Sequence, residues 1–188
     1  MQATPTGIEG VVVFEPKVFG DARGFFLESF RQNVFDAAVG GHVEFVQDNH
    51  SRSPRGVLRG LHWQEAPHAQ GKLVRVTRGA VFDVAVDIRR GSPTFGKWVG
   101  EILSESNFRQ LYVPAGFLHG FCVLSETAQI EYKCTAFYSR ADELSVVWND
   151  PELAIAWPVQ NPLLSAKDAA APRLRDLLAV LPPYHPKS

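Results

Sequence analysis

Apolar residues occur along the chain in short segments that are separated by glycine, proline and polar turn residues. The segments are rich in β-branched and aromatic side chains, which favour β-strands. From Leu73 to Arg78 and from Val84 to Ile88, apolar and polar residues alternate, as they do in a strand with one buried face. The strands predicted in this way are Val11–Phe14, Gly24–Phe30, Val43–Gln47, Val57–His62, Leu73–Val76, Ala80–Ile88, Trp98–Leu103, Gln110–Val113, Phe121–Leu124 and Ile130–Phe137.

Helix signals are confined to two parts of the sequence. One is Asn33–Val39, and the other is the C-terminal tail, where Ser165 can cap a short helix and Arg173–Val180 can form another. Many short strands without long helices between them are typical of an antiparallel sandwich or barrel. We therefore predict an all-β, cupin-type jelly roll with a few short helices. Residues 1–188 contain no repeat or linker, so we expect a single domain.

The charge balance excludes one large class of partner. The chain has 19 Lys and Arg residues against 20 Asp and Glu residues, a net charge of −1. A general nucleic-acid-binding protein needs a basic surface, so we expect no nucleic-acid partner, although a local cationic pocket for one small anion fits this balance. The apolar stretches are far shorter than the roughly 20 residues of a membrane span, and the first residues lack a signal-peptide pattern. We expect no membrane partner and a cytoplasmic location.

The cysteine content agrees with a reducing compartment. Only Cys122 and Cys134 are present, too few for a disulfide framework. We interpret both as small buried residues on neighbouring strands.

Two segments carry candidate chemistry. The downstream segment contains Pro114, Gly116 and His119 in the spacing P-x-G-x2-H. The upstream segment contains Gly56 and His62 in the spacing G-x5-H. Both segments resemble the signature motifs of the cupin superfamily, in which the upstream motif continues with a second histidine and a glutamate that bind a metal ion.

The upstream segment departs from the cupin pattern at the metal-binding positions. Gln64 replaces the second histidine, and Lys72 stands where the glutamate is expected, seven residues before Gly79. A protein-bound divalent ion needs neutral or anionic donors, and a protonated lysine has no lone pair to offer. We therefore predict a site without metal, in which a cation stabilises negative charge.

Other polar residues recur at strand spacing, but none is diagnostic alone. A polar row on a strand ordinarily faces solvent, Tyr132 is equally typical of a buried core tyrosine, and His119 alone can be structural. A function can be assigned to these residues only from the wider sequence pattern of the chain.

That wider pattern resembles one family along nearly the whole chain, the dTDP-4-dehydrorhamnose 3,5-epimerase family. The matching segments are Phe19-x-Asp21-x-Arg23-Gly24-x-Phe26-x-Glu28, Gln47-Asp48-Asn49-His50-Ser51, Gly56 to His62, Gln70 to Val76, Val113 to Phe121, Tyr132 to Thr135, Trp148 to Pro151 and Leu164 to Asp168. The resemblance implies conversion of dTDP-4-keto-6-deoxy-D-glucose to dTDP-4-keto-L-rhamnose, on the route to dTDP-L-rhamnose, without a cofactor. It also implies a homodimer whose subunits exchange contacts of their N-terminal strands.

The resemblance further implies four catalytic residues. His62 corresponds to the general base that removes protons at C3 and C5, for which an imidazole with a reference pKa of about 6.5 is suited. Asp168 corresponds to the carboxylate that orients this histidine. Tyr132 corresponds to the acid that returns a proton to the opposite face, and Lys72 to the cation that stabilises the enolate oxygen at C4.

The substrate-binding residues are likewise implied by the resemblance. Arginine side chains suit the diphosphate because their planar guanidinium groups match its oxygens. Tyr138 corresponds to a residue that stacks on the thymine ring. The remaining substrate-binding positions are Arg23, Glu28, Gln47, Asp48, Asn49, Arg59, His119, Glu143 and Lys167.

Three alternatives stay open at the level of sequence. A single-site epimerase acting at C3 or C5 only retains the same histidine, and Tyr132 only weakly favours the double epimerase. A metal-dependent cupin is disfavoured by Gln64 and Lys72. A catalytically silent sugar-nucleotide-binding cupin is disfavoured by the joint presence of His62, Tyr132 and Asp168.

Overall fold

The computed structural model describes residues 1–186 and confirms the predicted all-β jelly roll. Its helices are short: α1 (Gln32–Val39), α2 (Ala166–Ala169) and a 3-10 helix (Leu174–Leu177). The strands are β1 (Gln2–Pro5), β2 (Val12–Glu15), β3 (Val18–Asp21), β4 (Gly24–Leu27), β5 (Gln47–Pro54), β6 (Leu58–Gln64), β7 (Lys72–Arg78), β8 (Ala80–Asp87), β9 (Trp98–Ser104), β10 (Gln110–Val113), β11 (Phe117–Val123), β12 (Thr127–Cys134) and β13 (Glu143–Ser145).

The strands form two large sheets and one separate hairpin. The six-stranded sheet has the order β1-β2-β10-β7-β12-β5, and the five-stranded sheet has the order β13-β6-β11-β8-β9. Strands β3 and β4 form the hairpin, and its residues Phe25 and Phe26 are 64% and 69% exposed. Within residues 1–186, no helix is long and apolar enough to cross a membrane.

The main apolar core lies between the inner faces of the two sheets. Val74 and Ile130 from the six-stranded sheet pack with Val81 and Leu103 from the five-stranded sheet, and all four are fully buried. Full burial of such a side chain stabilises the fold by roughly 1.5–3 kcal/mol. A second cluster joins the outer face of the five-stranded sheet to the C-terminal segment, and a third joins β2 to α1.

The largest error of the sequence prediction concerns β5. The apolar segment Val43–Gln47 was expected to be a strand, but the strand is Gln47–Pro54, in which nearly every residue is polar. Its alternate residues Gln47 and Asn49 line a cavity rather than an apolar core, so an apolar pattern could not reveal the strand. The short strands β1, β3 and β13 were also missed.

Most other elements agree with the sequence prediction. Helix α1 is confirmed, and Ser165 caps α2 by accepting a hydrogen bond from the backbone amide of Asp168 at 3.1 Å. Of the predicted helix Arg173–Val180, only Leu174–Leu177 is helical, as a single 3-10 turn. Cys122 and Cys134 are buried and unbonded, but they lie on strands of different sheets.

Candidate active site

A cavity of about 260 Å³ opens between the edge of the six-stranded sheet and strands β6 and β13 of the other sheet. It gathers seven of the residues that the sequence singled out: Gln47, Asn49, His62, Lys72, Tyr132, Tyr138 and Glu143. Trp63, Gln64 and Gln70 complete its lining. The cavity thus combines an imidazole, an ammonium group, phenols and a carboxylate in one pocket.

His62 is held by an acid from the far end of the chain. Its Nε2 atom lies 2.6 Å from Oδ1 of Asp168, whose side chain is only 5% exposed. Burial acts to raise the pKa of Asp168, but the hydrogen bonds that it accepts from His62 and from the Gly60 amide outweigh burial and lower the pKa below its usual value. An ionised Asp168 therefore orients the ring and leaves Nδ1 without a partner among the described residues.

His119 lies directly opposite His62 because β6 and β11 approach each other closely. The two histidines are register partners in the antiparallel pair. A Cβ atom on Gly60, whose φ is +124°, would lie 2.6 Å from the Cα atom of Gly120, so only glycine fits there. Nε2 of His119 in turn lies 2.9 and 3.0 Å from the two carboxylate oxygens of Asp83.

Lys72 projects into the cavity from the first position of β7. Burial lowers the pKa of its ammonium group, while the nearby Cys134, Glu143 and Asp83 act in the opposite direction. Within residues 1–186, its ammonium group forms no ion pair or hydrogen bond. A cation without a fixed partner in a cavity is suited to stabilising an anion that forms on a ligand.

Tyr132 lies on β12 beside Lys72 in the cavity wall. Burial is the main reason why the pKa of its phenol is raised; Cys134 and Glu143 add to this effect and Arg59 opposes it. The phenol therefore keeps its proton at neutral pH and is available as a proton donor. Its hydroxyl has no hydrogen-bond partner among the described residues, in contrast to a tyrosine that only stabilises the core.

The side-chain amide of Gln64 forms three hydrogen bonds with the surrounding backbone. Its amide nitrogen donates to the carbonyl oxygens of His68 and Phe137 at 2.7 and 3.1 Å, and its amide oxygen accepts from the Ser139 amide at 2.8 Å. The side chain thereby fixes the loop that carries Tyr138. Within residues 1–186, no group of three or more His, Cys, Asp or Glu side chains is arranged to hold a metal ion.

Tyr138 forms the outer wall of the cavity and is linked to three predicted site residues. Its hydroxyl donates to Oε2 of Glu143 at 2.9 Å, and its backbone amide donates to Oε1 of Gln47 at 2.9 Å. Glu143 also forms an ion pair with Lys167. The ring of Tyr138 is 55% exposed, so it presents a free face on which a planar group can stack.

Six predicted binding residues do not line this cavity. Two of them contact or pair with residues that do: His119 is the register partner of His62, and Lys167 forms the ion pair with Glu143. The other four have separate partners. Arg23 pairs with Asp21 on the exposed hairpin, and Glu28 pairs with Arg31. Asp48 points to the outer face of the six-stranded sheet, where Lys133 donates to it at 3.0 Å. Arg59 donates to the hydroxyl of Ser53 at 3.0 Å. The roles of all the predicted binding residues, inside and outside the cavity lining, stay predictions.

The sequence reasoning missed Asp83. It is one of two acids in the otherwise apolar strand β8, and it is fully buried beside the predicted residue His119. A charged residue is rarely buried unless a partner stabilises it, so an aspartate among apolar strand residues indicates a buried polar contact. This pattern was visible in the sequence.

Comparisons with known proteins match the chain to one family of enzymes. The sequence model described as dTDP-4-dehydrorhamnose 3,5-epimerase matches residues 5–176. A dTDP-4-dehydrorhamnose 3,5-epimerase of Shigella flexneri is 64% identical over 168 residues, which are 89% of this chain and 93% of that protein.

A solved structure and a more distant relative extend the comparison. The crystal structure of a Legionella pneumophila epimerase in complex with dTDP-4-keto-L-rhamnose has a TM-score of 0.95 and 52% identity, and covers 98% of this chain and 99% of that one. A dTDP-4-dehydrorhamnose 3-epimerase of Streptomyces niveus is 43% identical over 186 residues, which are 98% of this chain and 90% of that protein.

Proposed function

Because the chain belongs to the dTDP-4-dehydrorhamnose 3,5-epimerase family, we propose that it inverts C3 and C5 of dTDP-4-keto-6-deoxy-D-glucose to give dTDP-4-keto-L-rhamnose. The observation that carries this function is the His62–Asp168 pair, at 2.6 Å, in the cavity that also contains Lys72 and Tyr132. These groups are the ones that inversion beside a ketone requires: a base, a stabiliser of the enolate and an acid.

His62 is the general base of the proposed mechanism. The C4 ketone makes the hydrogens at C3 and C5 acidic because the carbanion delocalises onto the ketone oxygen. Asp168 holds Nε2 of His62, so Nδ1 takes the proton from the substrate carbon, and the buried carboxylate stabilises the imidazolium that results.

Lys72 stabilises the enolate that proton removal creates. Its ammonium group donates to the C4 oxygen as negative charge develops there, and the partly buried surroundings strengthen this interaction. The absence of a competing ion pair among the described residues supports this role, since no salt bridge has to break during turnover.

Tyr132 returns a proton to the opposite face of the same carbon. Inversion needs two proton carriers on opposite faces, because a single carrier restores the original configuration. The raised pKa of its buried phenol supports this role, because the hydroxyl holds its proton until the enolate accepts it.

In this proposal, substrate binding uses residues of the cavity lining together with residues outside it. Tyr138 stacks on the thymine ring with its exposed face, and Arg59 contributes a cation for the diphosphate. The remaining binding residues are Arg23, Glu28, Gln47, Asp48, Asn49, His119, Glu143 and Lys167.

The active form in this proposal is a homodimer in the reducing cytoplasm. The exposed Phe25 and Phe26 of the β3–β4 hairpin support the dimer, because exposed aromatic patches are typical of protein interfaces. The unbonded thiols of Cys122 and Cys134 are compatible with a reducing compartment. Light scattering of the wild type and of the double variant Phe25→Ser/Phe26→Ser tests the dimer. An unchanged dimeric mass for the variant, or a monomeric wild type, contradicts the proposed interface.

The main test of function is NMR of the 4-keto sugar nucleotide with the enzyme in D2O. Deuterium at both C3 and C5, together with the L-rhamno product, is the expected result. The second candidate function is inversion at C3 alone, which the 43% identity to the Streptomyces niveus 3-epimerase supports. That function requires inversion at C3 with the configuration at C5 retained. A sugar nucleotide without any deuterium incorporation contradicts both functions.

A further inference from the structure

Three glutamine side chains, which we call the glutamine cluster, surround the segment that carries Tyr138. Gln47 begins β5, Gln64 ends β6, and Gln70 precedes β7 by two positions. All three line the cavity; Gln64 and Gln70 are 4% and 8% exposed, and Gln47 is partly buried. Glutamine is mostly exposed in folded proteins and loses much rotamer freedom when it is buried, so the cluster indicates specific contacts.

Gln64 binds the backbone on both sides of Tyr138. Its amide nitrogen donates to the carbonyl oxygen of Phe137 at 3.1 Å, and its amide oxygen accepts from the backbone amide of Ser139 at 2.8 Å. A third bond, from the amide nitrogen to the carbonyl oxygen of His68 at 2.7 Å, fixes the orientation of the Gln64 side chain itself. One side chain thus uses both its donor and its acceptor to hold the two peptide groups that flank Tyr138.

The other two glutamines complete the same set of contacts. The amide nitrogen of Gln70 donates to the carbonyl oxygen of Ala136 at 2.7 Å. Oε1 of Gln47 accepts from the backbone amide of Tyr138 at 2.9 Å. Four backbone groups in sequence, from Ala136 to Ser139, are therefore bound by side-chain amides that line the cavity.

These contacts replace the ones that a sheet or a core would provide. Residues 135–142 join β12 to β13 and contain no helix or strand. The side chains of Phe137 and Tyr138 are 65% and 55% exposed, so packing contributes little to the position of the segment. The backbone of such a surface segment ordinarily binds water and is mobile. Here the glutamine cluster determines where the backbone at Tyr138 lies.

We infer that Gln64 and Gln70 are positioning residues for nucleotide binding, whose amides hold the backbone at Tyr138 so that its ring is ordered beside the cavity before the substrate binds. The inference rests on the proposed function, in which Tyr138 stacks on the thymine ring. A ring that is already ordered raises the affinity, because binding does not have to order it. The amide is also neutral, and a carboxylate in the same place would repel the diphosphate.

The variants that test this inference are Gln64→Met and Gln70→Met. Methionine has a similar length, but it donates no hydrogen bond. Gln32→Met is the matched control, because Gln32 also donates to a backbone carbonyl, that of Val43 at 2.9 Å, but lies on α1 outside the cavity lining. Calorimetry measures the Kd of dTDP, and epimerisation of the 4-keto sugar nucleotide gives KM and kcat.

The expected result is a change in KM without a change in kcat. Gln64→Met should raise the Kd of dTDP and the KM by roughly tenfold, as loss of buried hydrogen-bond partners does. Gln70→Met loses one bond and should raise both by about threefold. The kcat should stay within about twofold of the wild type, because an interaction of equal strength in the ground state and the transition state affects KM alone. Gln32→Met should keep the wild-type values.

A double variant tests whether Gln64 acts through Tyr138. Tyr138→Ala removes the ring and should itself weaken the binding of dTDP. Adding Gln64→Met to Tyr138→Ala should then have little further effect on the Kd, since the group that Gln64 positions is absent. A full additional loss of affinity in the double variant overturns the inference.

Hydrogen exchange gives a readout that needs neither a variant nor a ligand. The backbone amide of Ser139 in the wild type is expected to exchange at least about tenfold more slowly than an amide of an unstructured peptide, because it donates to Gln64. Gln64→Met should remove this protection, and Gln32→Met should not. If Gln64→Met does not fold, wild-type exchange and the affinity of Gln70→Met decide the question. A Ser139 amide without protection in the wild type overturns the inference.

The remaining outcomes separate the inference from the function on which it rests. A folded Gln64→Met variant that binds dTDP as tightly as the active wild type overturns the inference and leaves the function intact. A variant with lowered kcat and unchanged KM also overturns it, because Gln64 then acts on the chemistry. A wild type that binds dTDP but exchanges no substrate hydrogen overturns the proposed function, and the dTDP affinities still decide the inference.

Discussion

Nε2 of His62 and Oδ1 of Asp168 lie 2.6 Å apart, although 106 positions separate the two residues in the sequence. The acid reaches the cavity because Ser165 caps the short helix α2 and thereby fixes the backbone at Asp168. The C-terminal segment of the chain is therefore part of the candidate active site, and it holds the base in one orientation.

The first prediction concerns this pair. His62→Ala is expected to lower turnover by several orders of magnitude with the fold retained, and Asp168→Asn by up to about 10⁴-fold, because the carboxylate holds the tautomer of the base. His42→Ala is a matched control, since His42 forms a similar contact with Asp36 at 2.8 Å on the surface. The measurement is the rate of deuterium exchange into the substrate. Near-normal exchange in His62→Ala would show that the base is another residue.

A second prediction follows from the lowered pKa of Asp168. A carboxyl group with a folded-state pKa below its unfolded value stabilises the protein above the unfolded pKa of about 3.9, and this contribution disappears as the pH falls through the folded value. Asp168→Asn should therefore have a lower Tm than the wild type at pH 7, and the difference should shrink as the pH falls below 4. Thermal unfolding at both pH values measures this, and a difference that grows in acid contradicts it.

The strand pattern was sufficient to predict the fold class, whereas the candidate residues of the cavity were implied by the family resemblance. His62, Lys72 and Tyr132 lie on three different strands, and no local pattern predicted that these strands bring them into one cavity. Strand β5 could not be found in this way, because its inner residues contact a cavity rather than an apolar core. The separation of Arg23 from the cavity depends on where the β3–β4 hairpin packs, and no local pattern specifies that packing.

The third prediction concerns the cost of a buried cation. Lys72→Met should lower kcat by roughly 10²- to 10³-fold, as the loss of an enolate-stabilising donor does. The same change should raise the Tm, because burial destabilises the ammonium group and an apolar side chain removes that penalty. Lys97→Met, at an exposed lysine, is expected to change neither quantity appreciably. A Lys72→Met variant that is less stable than the wild type would contradict the argument from burial.

The fourth prediction is activity without metal. The amide of Gln64 is fully used by three backbone groups, and Lys72 offers no lone pair while it is protonated. Prolonged chelation should therefore leave turnover unchanged, with elemental analysis before and after treatment as the measurement. A stoichiometric transition metal whose removal abolishes activity would overturn this prediction.

The last prediction separates the two proton carriers. Tyr132→Phe removes the hydroxyl and keeps the ring, so the packing of β12 should be retained. The enolate should still form, because His62 and Lys72 are both present to generate and stabilise it. The control is Tyr112→Phe, at a buried tyrosine outside the cavity whose pKa burial raises to about 12.

In the absence of the Tyr132 hydroxyl, the proton returns mainly from the imidazolium of His62, on the face from which it was removed. The starting configuration is then restored, and exchange with solvent is separated from inversion. Tyr132→Phe should therefore incorporate deuterium at one or both carbons at a rate close to that of the wild type, while the inverted product forms at least about tenfold more slowly, the lower end expected for loss of a general acid. Deuterium incorporation by NMR and product configuration by chromatography measure the two rates on the same sample. Equal rates of inversion in Tyr132→Phe and the wild type, at matched substrate saturation, would show that this tyrosine only fills the wall of the cavity.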